Sequence, residues 1–191
     1  MADKKLPITG EELYAKCAKG SGFKSSCEPM LEMIKGLGNY ISIAEIGVCK
    51  GIGMWKMLTE CGNILHAYGI DTWWEYGNDS FDMGLSNLNI ARQVLSVFDN
   101  VSLIIDRSVS AWKLFDSFSL DYVFVDGDHS YNGCYYDMGL WWSTVKKGGI
   151  MAGHDYNNGN PGVMKAVKQF EEDEGLTVEK TEGWVWYVRK T

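Results

Sequence analysis

Two short stretches hold most of the side chains in this chain that could do proton or metal chemistry. The first is Val123-Phe-Val-Asp126-Gly-Asp128-His129-Ser-Tyr131; the second is Gly148-Gly-Ile-Met-Ala-Gly153-His154-Asp155-Tyr156. The chain has three histidines, and two of them, His129 and His154, lie beside carboxylates. Asp126, His154 and Asp155 offer two carboxylates and one imidazole, a mixed O/N donor set that suits Mg²⁺, Mn²⁺ or a similar divalent ion. Such an ion lowers the pKa of a coordinated hydroxyl and orients its oxygen. His129 could then take the proton, because imidazole titrates near neutral pH. Helix capping accounts for a lone Asp in such a place, but four polar residues expected at one sheet edge read better as a site. The third histidine, His66, falls inside a predicted strand and reads as a core or edge residue.

A second constellation comes earlier, at Glu45-Ile-Gly47-Val-Cys-Lys-Gly51-Ile-Gly53. Glycine at a strand-to-helix turn lets the backbone approach a ligand closely, although glycines also close loops that bind nothing. Asp71 ends the next predicted strand, where a carboxylate can accept both hydroxyls of a ribose. An acid at the end of an apolar strand, as Glu45 is, costs desolvation energy unless something pairs with it. A cationic or amine-bearing ligand would be such a partner, and a pair of backbone amides is the alternative. Gly47 and Gly51 are four apart, which departs from the dinucleotide fingerprint G-x-G-x-x-G.

These residues need elements to hold them. Thr9-Gly-Glu-Glu12 is a favourable helix start, and Pro29 could open a second helix through Met30–Gly36. From Tyr40 onward strands and helices alternate. Strands are expected at Tyr40–Ile46, Ile64–Ile70, Val101–Ile105, Asp121–Val125 and Gly149–Ala152. Helices are expected at Gly53–Cys61, Asp82–Phe98, Ser110–Phe118, around Gly133–Val145, and at Val163–Glu174. Leu176–Thr181 and Trp184–Arg189 read as two closing strands joined by a short turn, and so antiparallel. The pattern implies a Rossmann-like α/β fold: a mostly parallel sheet with helices on both faces, closed by the antiparallel hairpin. A single domain over 1–191 is expected, with residues 1–40 as a helical N-terminal extension.

The run E-x-G-x-x-x-G-x-G, followed by a strand ending in Asp, resembles the first two motifs of class I S-adenosylmethionine-dependent methyltransferases. That resemblance implies a seven-stranded sheet whose last strand inserts antiparallel. It also implies a ligand whose amino-acid moiety is met by Glu45 and the turn of Gly47, Gly51 and Gly53, with the ribose held at Asp71 and Thr72. Ile105-Asp106-Arg107-Ser108 falls where the family's adenine-contacting loop lies, which assigns Arg107 and Ser108 to the cofactor. The D-G-D-H-S-Y and G-H-D-Y pair is similar to the macrolide-sugar (macrocin-type) O-methyltransferases and to the metal-dependent catechol type. By that likeness Asp126 adjoins cofactor and metal, His154 and Asp155 complete the metal set, and His129 and Asp126 are catalytic. His154 replaces a usual oxygen ligand. Trp73 and Trp74 could cover the adenine, line an acceptor pocket or anchor a loop. The loop Asn157–Gly162 could gate the site or be an inert turn.

Composition narrows the rest. A formal charge of −7 works against non-specific nucleic-acid binding. Five cysteines without a CxxC pair indicate neither a zinc framework nor a disulfide scaffold and fit a reducing, cytoplasmic setting. No run is long enough to span a bilayer, and the N-terminus lacks the apolar region of a signal peptide. The expected partner is a small-molecule methyl acceptor, with a homo-oligomer left open. Three other readings compete: a hydroxylase-like relative of this methyltransferase group, for which no separate iron triad stands out, a protein that binds the nucleoside ligand without turnover, and an NAD-linked oxidoreductase. Glycine spacing and the terminal hairpin count against the last.

Overall fold

The structure is a computed structural model that describes residues 9–19, 23–74 and 81–191. Helix α1 (Gly10–Cys17) starts as its sequence dictates. The Thr9 side chain accepts the Glu12 N–H at 3.2 Å while the Glu12 carboxylate accepts the Thr9 N–H at 2.9 Å. Helix α2 (Phe23–Lys35) corrects one expectation, because Pro29 lies inside the helix instead of opening it. A proline there forfeits a backbone hydrogen bond. The helix persists because Met30, Leu31 and Ile34 are fully buried in the core that it helps to build.

Then follow β1 (Ile41–Ile46), α3 (Ile52–Glu60), β2 (Ile64–Asp71), α4 (Phe81–Leu95), β3 (Val101–Ile105) and the short α5 (Ser108–Ala111). The chain continues through β4 (Leu120–Val125), α6 (Tyr131–Trp142), β5 (Val145–Gly153), α7 (Pro161–Glu174), β6 (Glu179–Lys180) and β7 (Trp186–Arg189). The sheet has seven strands in the order β3-β2-β1-β4-β5-β7-β6. Strands β1 to β5 pair in parallel, and β7 lies antiparallel between β5 and β6. This is the expected Rossmann-like arrangement.

Side-chain alternation assigns the two faces. Ile41, Ile43, Tyr122, Phe124, Ile150 and Ala152 pack with α1 to α4. Ala44, Ile46, Val123, Val125 and Met151 pack under α6 and α7. Connections leave β1 toward β2 but reach β4 from the opposite side of the sheet, so β1 and β4 flank a topological switch point, where open α/β sheets bind ligands.

Several boundaries differ from the sequence expectations. Strand β5 begins at Val145, which is fully buried and pairs with Leu120, so the preceding helix stops at Trp142. The Ser110–Phe118 helix is only α5 followed by a 3-10 turn at Trp112–Leu114. Strand β6 shrinks to two residues. Trp184 lies in a 3-10 turn rather than in the last strand, because Gly183 and Trp184 both take left-handed backbone angles, with φ 76° and 66°. Among the described residues no helix is long and apolar enough to cross a membrane.

Candidate active site at the strand ends

Backbone hydrogen bonds continue past the strands and lock their C-terminal ends into one row. Asp106 N–H donates to Asp71 O at 3.2 Å and Gly47 N–H to Ile70 O at 2.9 Å. Asp126 N–H donates to Ile46 O at 2.8 Å and His154 N–H to Val125 O at 3.3 Å. The residues singled out from the sequence on five strands are therefore side by side, with the β1/β4 switch point at the centre.

Gly47 has φ 92°, and a Cβ there would lie 2.1 Å from the Asp126 carbonyl oxygen. Only glycine allows the β1 and β4 turns to touch this closely. Gly51, at φ 76°, is the N-cap of α3 and provides no side-chain cap, while Gly53 is buried in the first turn of that helix. Glu45 is 3% exposed on the same side, and its Oε2 has no hydrogen-bond partner. Burial raises its pKa well above the usual carboxylate range, and the Asp126 and Asp71 charges push the same way against the Met54 backbone N–H.

Asp71 is also buried, but it is well supplied. Its Oδ2 accepts the Cys49 N–H and its Oδ1 accepts the Trp73 N–H, each at 2.8 Å. Trp73 is 2% exposed, donates its indole N–H to Cys49 O at 2.8 Å and packs with Val48, Leu88 and Ala91. It is thus the loop anchor among the roles considered for it. Thr72 is half-buried beside it and Trp74 is exposed. Residues 75–80, which follow Trp74, lie outside the described residues.

Asp126, His129, His154 and Asp155 form one cluster. His129 Nε2 lies 3.2 Å from Asp155 Oδ2 and 3.7 Å from Asp126 Oδ1. His154 Nδ1 lies 3.4 Å from Asp155 Oδ1 and 3.8 Å from Asp126 Oδ1. Contact with Asp126 raises the His129 pKa despite partial burial. Burial alone would lower that of His154, but Asp155 and Asp126 outweigh it and raise the value. Burial raises the Asp126 carboxyl, while the His154 ring lowers that of Asp155. One donor atom each from Asp126, His154 and Asp155 lies within 4.8 Å of the others. The His154 Nε2 is buried beside the Gly183 backbone without a well-formed hydrogen bond. Neither Asp126 nor Asp128 caps α6. Ser130 is the cap, and Asp128 accepts the Ser130 N–H at 2.8 Å to shape the turn before it.

On the far side Arg107 is exposed and Ser108 opens α5, with the Ser108 hydroxyl donating to Asp137. Asp137 was not singled out from the sequence. It is 3% exposed on α6, and burial pushes its pKa up to about 6. Its signal was an acid within the otherwise apolar run Cys134–Trp142. Gly162, which the structure puts in the first turn of α7, packs on the His129 carbonyl, where a Cβ would meet the oxygen at 2.6 Å, so the start of α7 braces the His129 turn. His66, far from this edge, is held by Ser102 at 2.9 Å.

A protein-family model for a methyltransferase domain matches residues 44–156, a span that contains Glu45, Asp71, Asp126, His129 and Asp155. No curated protein matches the sequence. Among solved structures, a SAM dependent methyltransferase from Aquifex aeolicus aligns with TM-score 0.62 and 15% identity, covering 96% of this chain and 97% of that one. A candidate methyltransferase from Streptococcus mutans in complex with SAH aligns with TM-score 0.65 and 15% identity, covering 88% of this chain and 99% of that one. An O-methyltransferase family protein from Burkholderia thailandensis gives TM-score 0.58 and 14% identity, covering 97% of this chain and 64% of that one. At these identities the likeness is one of fold.

Proposed function

Because the chain belongs to the methyltransferase-domain family, we propose that it transfers the methyl group of S-adenosylmethionine to a hydroxyl oxygen of a small molecule, a sugar or a phenol-like ring, with a divalent ion assisting. The observation that carries this reading is Glu45. A buried carboxylate with an unpartnered oxygen, beside a glycine turn at the switch point, calls for a cationic ligand group. The α-ammonium of S-adenosylmethionine is such a group. In this reading Asp71, buried at the end of β2, takes the ribose hydroxyls, and Arg107 and Ser108, which follow β3, take the base.

The donor set also fits a divalent ion. Two carboxylates and an imidazole nitrogen converge from the ends of β4 and β5, within 4.8 Å of one another. A bound divalent ion would lower the pKa of the acceptor hydroxyl. Asp126, His154 and Asp155 would hold it, and Asp126 and Asp155 keep His129 oriented. His129, the most exposed member at 46% of its side chain, then faces an incoming hydroxyl and takes its proton. The row of locked strand ends contributes alignment of donor and acceptor, which methyl transfer needs most.

The test is transfer of labelled methyl from S-adenosylmethionine to a panel of sugars and phenols, with Mg²⁺ or with EDTA. Transfer is expected with Mg²⁺ and its loss with EDTA. His129→Ala should lower turnover by about 10²-fold or more while leaving affinity for S-adenosylhomocysteine unchanged. Full turnover in that variant removes His129 as the base, and full turnover in EDTA removes the ion.

A further inference from the structure

A groove next to the cluster has walls to which methyl transfer as described gives no role. Two depressions, of about 500 Å³ and 450 Å³, share Asn158 and Met164 and so form one continuous groove. Tyr156 and Trp184 wall one end, and the other runs along α7 past Lys165 and Lys168. Tyr156 directly follows Asp155, and the Trp184 ring lies 6.3 Å from that of His154, so the aromatic end adjoins the carboxylate–imidazole cluster.

Trp184 is 58% exposed and sits at φ 66°. A bulky side chain in the left-handed region is strained, and an indole left this open recovers little by packing. The turn is nevertheless held in place: Tyr156 N–H donates to Trp184 O at 3.0 Å, and α2 packs against it. Strained residues held in this way by their surroundings cluster at ligand sites. Along α7, Lys165 and Lys168 are three residues apart and so share a face. Lys165 lies over the Tyr131 ring at 4.6 Å, and among the described residues neither lysine has an ion pair. The groove lining otherwise has one acid, Glu172. On a chain with net charge −7, two cations on one groove wall select for a negative partner.

We propose that this groove is the acceptor subsite and that the acceptor is a ring-bearing molecule with an anionic group, a carboxylate or a phosphate. The ring lies against Trp184 and Tyr156, which brings its hydroxyl toward His129, and the anion meets Lys165 and Lys168. The groove is open to solvent and has room for one ring with its substituents. This inference rests on the methyl-transfer reading above.

The probes are two matched pairs, hydroquinone with 4-hydroxyphenyl phosphate and catechol with 3,4-dihydroxybenzoate, titrated by calorimetry or saturation-transfer NMR into protein loaded with S-adenosylhomocysteine. At low salt the anionic member of at least one pair should bind about tenfold more tightly than its neutral partner. The pair that shows it tells phosphate from carboxylate. Lys165→Glu with Lys168→Glu should abolish that difference, and Trp184→Ala should weaken both members of a pair, all with unchanged S-adenosylhomocysteine affinity. Equal binding within both pairs, a difference that survives the double charge reversal, or no binding of any probe to loaded protein overturns the proposal. Failure to load S-adenosylhomocysteine at all overturns the underlying reading instead.

Discussion

A carboxylate that is 3% exposed with one oxygen lacking a partner destabilises the fold that contains it, and Glu45 is in that position. The glutamine isostere keeps the shape and removes the charge. Glu45→Gln should therefore match or exceed wild-type stability in urea denaturation, while S-adenosylhomocysteine affinity falls by about tenfold or more. Loss of stability with affinity intact would contradict the role given to Glu45. Asp137 makes a separate case, as its folded pKa is about 6 against 3.8 in an open chain. Below the lower value both states are protonated. Between the two the unfolded chain releases its proton while the folded one keeps it, so stability falls as pH rises and is then level above about 6. Asp137→Asn lacks this loss. Its stability advantage over wild type should grow from near zero at about pH 4 to roughly 1–3 kcal/mol at about pH 7; a gap that does not change with pH would show that Asp137 does not titrate there. Glu45, Asp71, Asp126, His154 and Asp155 were legible in the sequence because each stands at the end of an apolar strand. Asp137 was not, since its burial depends on Ser108, which lies 29 residues away in the chain. Trp73 was ambiguous because a Trp after a strand packs inward or outward according to how the next helix folds back, and here Leu88 and Ala91 of α4 cover it.

At the scale of elements, the two turns at the switch point act as one unit through Gly47. Gly47→Ala forces a methyl onto the Asp126 carbonyl at 2.1 Å and strains φ 92°. It should destabilise the protein by about 2 kcal/mol or more and weaken S-adenosylhomocysteine binding, because both turns must move. Gly139→Ala on α6 is the control, as nothing lies within 4 Å of a Cβ there, and it should stabilise by about 0.5–1 kcal/mol. Equal effects of the two substitutions in thermal denaturation would show that the contact between turns is unimportant. Alternation of hydrophobic runs and glycine turns made the order of strands and helices readable. The departures have local causes. Pro29 is carried inside α2 by the burial of its neighbours Met30 and Leu31, Val145 joins β5 through its pairing with Leu120, and Trp184 is kept out of β7 by two consecutive left-handed residues. Propensity is silent on all three, because tertiary contacts or turn geometry decide them.

For the molecule as a whole, the closing hairpin was the most informative sequence feature, since a short link between strands requires an antiparallel pair. It left open where the pair would sit; the structure inserts β7 between β5 and β6. With β7 in place, the Gly183–Trp184 turn lies beside His154, so the last strand helps to shape the candidate site as well as to close the sheet. The central claim is that the row of strand ends holds a methyl donor with a charged amino-acid end. Calorimetric titration of the wild-type protein with S-adenosylhomocysteine, and in parallel with NADH, tests it most directly. The account predicts one S-adenosylhomocysteine site with a dissociation constant of about 1–100 μM, about −5.5 to −8 kcal/mol, and NADH binding that is weaker by a factor of about 100 or absent. No heat of binding from S-adenosylhomocysteine at high micromolar concentration, or tighter binding of NADH, would contradict it.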